Sequence, residues 1–452
     1  MRVALIFPGI ALTGFDSYGK VQDSTWIHHG LCMLSACARQ DGHEVRLFDM
    51  RRMSGYDDLV QQLTSWRPDV VGITAMSIDF ETAIRTARAI KAQSDVPIVV
   101  GGPHATLATD AAASCEFFDY IVRGEGEVAF IDLLDDLQQG DTPQRITTGE
   151  HPVLEDLPWA DREIFGGPEE SFPDPDLPGP LLTLLAGRGC IYNCRFCQPA
   201  EREIFGPRVQ RRSVENVIGE IAAASDTGKV GTVMLHDDCL TESPEWVSHF
   251  CEEYRRLGLG APFVCQSRAD LLVENPEMVR AMAEAGLRML IIGFESGNQR
   301  VLDFIGKGTT VEQNLAAATL AREHGVKVWA NYMLGLPTET REELLDTVRM
   351  VKEIDPDVHS PAFYTPHPGS YLYDYCREHD LLLRNESYDR TPRGRKVRGV
   401  NYRLVRWACD EATGVHDLPA SRRLRIRVGR EFDRWPWLKQ GVRRALRRIR
   451  SS

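Results

Sequence analysis

Three cysteines lie close together in the sequence: Cys190, Cys194 and Cys197, within the run Arg-Gly-Cys-Ile-Tyr-Asn-Cys-Arg-Phe-Cys-Gln. Three thiolates on a short loop can ligate three irons of a [4Fe-4S] cube and leave the fourth iron without a protein ligand. A structural zinc site needs four closed ligands, and neither a fourth cysteine nor a histidine lies close in the local sequence. The spacing therefore favours an iron–sulfur cluster with one open position over zinc or a chance grouping of buried thiols.

The remaining composition is that of an ordinary soluble protein. The chain has 452 residues, 43% of them hydrophobic, and 11 cysteines. An odd cysteine count in a chain of this length argues against a disulfide framework, so we expect the other eight as small buried hydrophobes. The sequence has no apolar run long enough for a membrane helix, and its start turns at Pro8-Gly9, too early for a signal segment. We expect a cytoplasmic protein with no membrane partner.

The net charge of −12 is unevenly distributed. Residues 421–452 carry 12 Lys and Arg against Glu431 and Asp433, a net charge of +10, which leaves −22 for the first 420 residues. An acidic body argues against general nucleic-acid binding. The basic tail is either a solvated terminal helix or a contact to an anionic surface. If it bound RNA or DNA, that binding would be salt-sensitive and lost on truncation after Pro419.

The elements that must position the cysteines fall into two series. Residues 1–140 alternate short apolar runs with helical patterns, which predicts a doubly wound α/β (Rossmann-like) domain whose ligand crevice lies at the carboxyl ends of its strands. The predicted strands are Val3–Phe7, Glu44–Phe48, Val70–Thr74, Ile98–Val100 and Tyr120–Val122.

A proline-rich linker is predicted over residues 141–180, since seven prolines fall within residues 151–180. A second series of parallel units over 181–365 is too short for an eight-unit barrel and predicts a partial, open (β/α)6 barrel of TIM type. Residues 366–452 are expected to form a small C-terminal extension. The predicted barrel strands are Leu181–Leu185, Thr232–Leu235, Phe263–Gln266, Met289–Phe294 and Val326–Leu334.

The cysteine triplet, with Phe196 before its last member, resembles the signature of the radical S-adenosylmethionine (SAM) superfamily. The resemblance implies that the open iron chelates SAM and that an electron from the cluster cleaves it to a 5'-deoxyadenosyl radical. Further motifs similar to those of the family follow at successive strand ends, where barrel enzymes place their chemistry. They imply cofactor-binding roles for His236 and Asp237 near the SAM amino group, Arg268 near its carboxylate, Glu295 and Ser296 near the ribose or methionyl part, and Gly335 beside the adenine.

Each of these motifs also has a simpler interpretation. Asp237 and Asp238 could cap a helix, Glu295 and Arg268 could form an ion pair on the barrel rim, and Gly335–Pro337 could be a plain turn. Their order at the carboxyl ends of successive strands favours the cofactor roles.

The first 140 residues resemble the cobalamin-binding domain of the B12-binding radical SAM family. The matching segments are 42–45, 68–73, 101–106 and 123–127, which include glycine turns at strand ends. The Asp-x-His-x-x-Gly signature of histidine-ligated cobalamin is absent, so cobalamin binding is left open. Where the family has Pro-Pro-Leu-Gly, this chain has Trp26, His28 and His29, which either crowd the crevice or pack as ordinary core residues.

Two reaction outcomes are open. The chain resembles the radical SAM diol dehydratases of aminoglycoside (apramycin) biosynthesis, which implies radical dehydration of an aminoglycoside-type sugar, with Glu295, Asp238 or Tyr364 as acid–base candidates. The alternative is a cobalamin-dependent C-methyltransferase of secondary metabolism. Either enzyme would take a small-molecule substrate and an external electron donor such as flavodoxin, ferredoxin or a partner reductase. A non-enzymatic iron–sulfur scaffold would instead fail to cleave SAM.

Overall fold

The computed structural model describes residues 1–9, 27–166, 172, 174–226, 230–383, 395–419 and 421. Two features singled out in the sequence, Trp26 and the arginine-rich tail from residue 422 onward, lie outside the described residues.

The front of the chain is a six-stranded sheet in the order β2-β1-β3-β4-β5-β6, with every neighbouring pair parallel. Helices cover both faces, because parallel strands need crossover connections, and β1 and β3 are accordingly buried almost throughout. This confirms the predicted doubly wound fold. The strands are β1 (Arg2–Phe7), β2 (Glu44–Asp49), β3 (Val70–Thr74), β4 (Ile98–Gly101), β5 (Tyr120–Gly124) and β6 (Ile146–Gly149).

The helices of this domain begin and end where the local sequence dictates. The longest, α6, ends at Gly140, which takes the left-handed conformation (φ 82°) that favours glycine. The helices are α1 (His29–Gln40), α2 (Tyr56–Trp66), α3 (Phe80–Lys91), α4 (Pro103–Leu107), α5 (Thr109–Ala113) and α6 (Glu127–Gln139).

The front domain extends further along the chain than the sequence predicted. Strand β6 pairs with β5 inside the segment 141–180 that we expected to be linker throughout. Only one of its four residues is buried at the sheet edge, so no apolar pattern marks them. The connecting segment therefore begins after Gly149 rather than after residue 140.

The second half forms a parallel sheet of six strands in the order β14-β13-β12-β11-β10-β7. No pairing joins β7 to β14, so the expected partial barrel is confirmed. The sequence identified five of these strands and missed β14. They are β7 (Leu181–Leu184), β10 (Thr232–Leu235), β11 (Phe263–Ser267), β12 (Leu287–Glu295), β13 (Lys327–Leu334) and β14 (Val358–Phe363); a short antiparallel pair, β8 (Gly187–Arg188) and β9 (Gln210–Arg211), flanks the cysteines.

The barrel helices pack on the outside of this sheet. Two of them start with capping boxes, Thr310 with Gln313 and Thr340 with Glu343, which satisfy the first free amides of each helix. The helices are α7 (Ala200–Phe205), α8 (Val214–Asp226), α9 (Pro244–Leu257), α10 (Ala269–Glu274), α11 (Pro276–Ala285), α12 (Gln299–Phe304), α13 (Val311–Glu323) and α14 (Arg341–Ile354).

The described part of the C-terminal extension is not separate from the barrel. It contains α15 (Tyr371–Glu378) and α16 (Tyr402–Ala412). The apolar side chains of α16 belong to the barrel's main hydrophobic core. Within the described residues, no helix is both long enough and apolar enough to cross a bilayer.

Candidate functional site

The three cysteines occupy a loop that starts directly after β8. Cys190 is half-buried, Cys194 is buried and Cys197 is exposed. The loop is fixed by backbone hydrogen bonds from both sides: the Arg195 amide donates to the Ile305 carbonyl (2.8 Å), and the Leu372 amide donates to the Arg195 carbonyl (2.9 Å). The barrel therefore holds the loop at the carboxyl ends of its strands.

The spread of the sulfur atoms distinguishes between metals. Two thiolates bound to one zinc ion at about 2.3 Å lie only about 3.8 Å apart. Among the described residues, the three cysteines do not form a group whose ligand atoms all lie within 4.8 Å of one another. At least one sulfur–sulfur separation is therefore longer than in a zinc site, as is expected where the sulfurs bind different irons of one cluster.

Arg268, which directly follows β11, reaches the cysteine loop. Its Nη1 lies 3.7 Å from Cys194 Sγ, and its guanidinium stacks on the Tyr192 ring at 3.7 Å from the centroid. Asp270 accepts two hydrogen bonds from the same group, and the Lys307 carbonyl accepts a third at 2.6 Å. The structure thus brings the predicted arginine to the thiolates and fixes it there.

Glu295 lies at the end of β12 and pairs with Lys307. The Lys307 Nζ donates to Glu295 Oε1 over 3.1 Å, and both side chains are largely buried. Glu295 has a left-handed backbone (φ 63°), unusual for a residue other than glycine. Gly293 leaves room for the pair, since a Cβ there would lie 2.5 Å from Glu295 Oε1 and 2.8 Å from Lys307 Nζ. A strained residue that its surroundings hold in place is typical of functional sites.

The predicted motif after β10 divides its residues between two roles. Asp237 is buried, accepts a hydrogen bond from the Ala186 amide (3.0 Å), and burial raises its pKa to about 6. His236 and Asp238 instead line a cavity. Glu201 on α7, which hydrogen-bonds to Asp238, has its pKa raised to about 8 by burial and by that neighbouring carboxylate.

The other predicted residues lie further into the fold. The Ser296 hydroxyl is buried 3.1 Å from Thr347 Oγ1. Gly335 takes a left-handed conformation (φ 79°), and its amide donates to Glu339 Oε2 over 2.8 Å. Tyr364 and Phe196 pack in one apolar cluster. Of the three acid–base candidates, Asp238 is the one that lines the cavity.

Arg188 joins the cysteine loop to the front domain. Its guanidinium donates to Glu125 Oε1 (2.5 Å) and to Glu127 Oε1 (2.6 Å). The other Glu125 oxygen lies 2.7 Å from His151 Nδ1 and accepts from Gln210 Nε2 (3.0 Å). The side chains of Arg188, Glu125 and Glu127 are each at most 10% exposed. A buried cation with two buried carboxylates therefore fixes the two domains to each other.

A cavity of about 330 Å³ lies between the domains. Turns at the strand ends of both sheets line it, including Gly101-Gly102, Gly124 to Gly126 and Gly187-Arg188. On the front-domain side it continues as an apolar slot between the sheet and helices α1 and α6; this slot is formed by Leu5, Leu34, Gly72, Val99, Val122 and Phe130. A slot with apolar walls, reached past glycine turns, suits a large ring-bearing cofactor such as a corrinoid.

Sequence reasoning assigned no role to Lys307, Glu201 or the Arg188–Glu125 pair. Lys307 carries one local signal, a charged residue between two glycines. Gly306 lies against the cysteine loop, because a Cβ there would be 3.1 Å from the Asn193 carbonyl oxygen. The other residues have no such signal, since their roles depend on partners distant in the chain.

Comparison with known proteins now identifies the two halves. Residues 184–351 match the radical SAM superfamily, and residues 19–134 match the B12 binding domain. The chain therefore contains a radical SAM domain. It carries a B12-binding domain in front of the radical SAM barrel, as the motifs predicted, and its cofactors are a [4Fe-4S] cluster and SAM.

The relatives of this radical SAM protein align over both domains. An uncharacterized methyltransferase of Pyrococcus horikoshii is 29% identical over 85% of this chain and 84% of its own length. The anaerobic magnesium-protoporphyrin IX monomethyl ester cyclase of Rubrivivax gelatinosus is 27% identical over 86% of this chain and 72% of its own. Cytidylyl-2-hydroxyethylphosphonate methyltransferase of Streptomyces wedmorensis is 23% identical over 79% of each.

Solved structures share the arrangement of the two domains. The radical SAM methyltransferase TsrM of Kitasatospora setae, with cobalamin and a [4Fe-4S] cluster bound, matches with a TM-score of 0.66 and 18% identity over 84% of this chain and 75% of its own. The cobalamin-dependent radical enzyme OxsB matches at 0.62 and 19%, over 83% of this chain and 54% of its own. At these identities the likeness establishes the fold.

Proposed function

We propose that this radical SAM enzyme is a cobalamin-dependent methyltransferase of a small molecule. The observation that supports the proposal is the interdomain cavity, which is lined by the apolar slot of the B12-binding domain on one side and by Arg188 and Asp238 of the barrel on the other. Arg188 ends β8, directly before the cysteine loop. Dehydration has no need of that slot, whereas methyl transfer from a corrinoid does.

The relatives support this choice. Both the protein of Pyrococcus horikoshii and the phosphonate enzyme of Streptomyces wedmorensis are named as methyltransferases, and they align across both domains. They favour methyl transfer over the dehydration of an aminoglycoside-type sugar that we expected from the sequence.

The residues divide the work as follows. Cys190, Cys194 and Cys197 ligate the cluster, and Arg268 and Lys307 place two cations beside them. Positive charge there offsets the charge of the thiolates in a partly buried site. When bound, the cluster and SAM supply the radical that activates the substrate, and cobalamin supplies the methyl group.

Other residues shape the space that the cofactors share. Asp238 lines the cavity and hydrogen-bonds to Glu201, so this pair can hold or release a proton at the cavity wall. The buried contacts of Arg188 with Glu125 keep the two domains at a fixed separation. An external donor of the flavodoxin or ferredoxin kind supplies the electron.

The test uses the full chain, purified and reconstituted with iron and sulfide without oxygen. SAM with a deuterated methyl group is supplied with and without cobalamin, and candidate small molecules, aminoglycosides among them, are screened by mass. We expect a product that gains the labelled methyl group only when cobalamin is present. Turnover without cobalamin, or a product that has lost water, would refute the proposal.

A further inference from the structure

Two adjacent histidines at the start of α1 have different environments. His28 is the helix cap: its Nδ1 accepts from the Leu31 amide (3.1 Å), and its Nε2 lies 3.3 Å from Thr74 Oγ1. Its ring also packs edge-on against Phe7. Burial lowers its pKa to about 4, so the ring is neutral. One nitrogen of His28 thus caps the helix, and the other links the helix start to the end of β3.

His29 has no such task. Among the described residues, neither of its ring nitrogens has a hydrogen-bond partner. Its half-buried side chain lines the interdomain cavity, with its ring 5.9 Å from that of His236 on the barrel side. Burial and the nearby Arg162 lower the pKa of His29 well below its ordinary value. The ring is therefore a neutral imidazole with an available nitrogen lone pair, facing a cavity.

The position of His29 matters as much as its chemistry. The first turn of α1 lies at the carboxyl end of the front sheet, where the apolar slot opens into the cavity. Leu31 and Leu34, on the same helix, line that cavity too. A ring-bearing cofactor whose tail entered the slot would lie over His29. Neutral imidazole is the commonest protein ligand of transition metals.

We propose that His29 ligates the cobalt of a bound corrinoid from the front-domain side. This inference rests on the proposed function, since it requires that the slot holds cobalamin. A ring nitrogen of His29 donates its lone pair to cobalt and displaces any water bound there, with no change in oxidation state. The chain would then have a histidine ligand although it lacks the Asp-x-His-x-x-Gly signature.

The test is the electron paramagnetic resonance spectrum of the full chain loaded with cob(II)alamin, after gel filtration removes free corrinoid. An axial nitrogen of natural abundance splits the cobalt lines into triplets. Protein grown on ¹⁵N-histidine must convert these triplets into doublets, whereas nitrogen from the cofactor's own base would leave them unchanged. We expect triplets in natural protein and doublets in labelled protein.

Variants identify which histidine is responsible. His29→Ala should lose the splitting, and His29→Gln should repeat the loss if the alanine variant does not fold. His236→Ala, across the same cavity, should keep the splitting. Unsplit lines in natural protein, triplets that survive ¹⁵N labelling, or splitting that survives in His29→Ala would overturn the role of His29 alone. Failure to retain any cobalamin would overturn the proposed cofactor as well.

Discussion

Arg188 and Glu125 form a buried ion pair between the cysteine loop and the B12-binding domain. Arg188 lies two residues before Cys190, and its Nη1 donates to Glu125 Oε1 over 2.5 Å. Glu127 takes the second hydrogen bond of the same guanidinium. Any displacement of the front domain is therefore transmitted to the residues that begin the cluster loop.

Removing this cation should destabilise the protein strongly. Arg188→Ala removes the cation that Glu125 and Glu127 share and leaves Glu125 with only His151 and Gln210, and the loss of one partner of a buried ion pair costs about 3–5 kcal/mol. Denaturant unfolding of the full chain measures the change. Arg280→Ala is the matched control, since Arg280 also contacts two carboxylates but on the exposed surface of α11. Equal effects of the two variants would mean that the buried network does not hold the domains together.

The ion pair between Glu295 and Lys307 should depend on residue 293 being glycine, because glycine has no Cβ. Gly293→Ala places a Cβ 2.5 Å from Glu295 Oε1, and overpacking of this kind costs about 1–3 kcal/mol. Iron content after reconstitution should fall together with stability, because the displaced lysine lies beside the cysteine loop. The control is Gly55→Ala, where a Cβ meets nothing within 4 Å. A Gly293→Ala protein with normal stability and iron would contradict this geometry.

Stability should also depend on pH through Glu339. Burial raises its pKa from 4.5 to about 7, although the amides of Gly335 and Leu336 and the nearby Arg300 oppose the shift. The folded state thus favours the protonated carboxyl. The stabilisation is fully present below pH 4.5 and is lost as the pH rises through about 7.

Between pH 4.5 and about pH 7, the free energy of unfolding of the wild type should fall by on the order of 1–3 kcal/mol relative to that of Glu339→Gln, whose side chain does not titrate. Unfolding free energies of the two proteins, measured at each pH, give the comparison. A difference in unfolding free energy between the two proteins that stays constant from pH 4.5 to pH 8 would show that the pKa of Glu339 is not raised.

The apolar slot offers a substitution that separates the two cofactors. Gly126 lines the cavity and has an ordinary right-handed backbone (φ −94°), so Gly126→Leu fills the slot without backbone strain. We expect the variant to keep its iron but to lose cobalamin on gel filtration. Val128→Leu, exposed on the first turn of the same helix, should keep both. If the Gly126→Leu variant retained cobalamin, the corrinoid would have to bind outside the apolar slot.

Much of the fold could be predicted because each buried strand is a short apolar run followed by a turn. Within the two six-stranded sheets, the two strands that were missed, β6 and β14, lie at sheet edges; the short pair β8 and β9 was missed as well. β6 has one buried residue of four, and β14 is mostly half-buried and contains Pro361, which weakens a strand pattern. The edge strand β7 is buried at all four residues and was predicted, so the extent of burial, and not edge position alone, decides whether a strand shows in the sequence.

The site was predictable only where its parts are local. The cysteine loop could be recognised because its three cysteines lie within eight residues of one another. The partner of Arg188 lies 63 residues away in sequence and that of Glu295 lies 12 residues away. Tyr364, an acid–base candidate at a strand end, packs instead in an apolar cluster. Strand-end position identifies the correct edge of the barrel but not the direction of each side chain.

The most direct test of the account is the iron–sulfur content and reduced electron paramagnetic resonance spectrum of the reconstituted chain, with and without SAM. We predict four irons per chain and a spectrum that changes when SAM is added. Alanine at Cys190, Cys194 and Cys197 together should abolish both results, whereas alanine at the buried Cys239, Cys251 and Cys265 should abolish neither. A cluster that survives the first triple substitution, or a spectrum indifferent to SAM, would contradict the account.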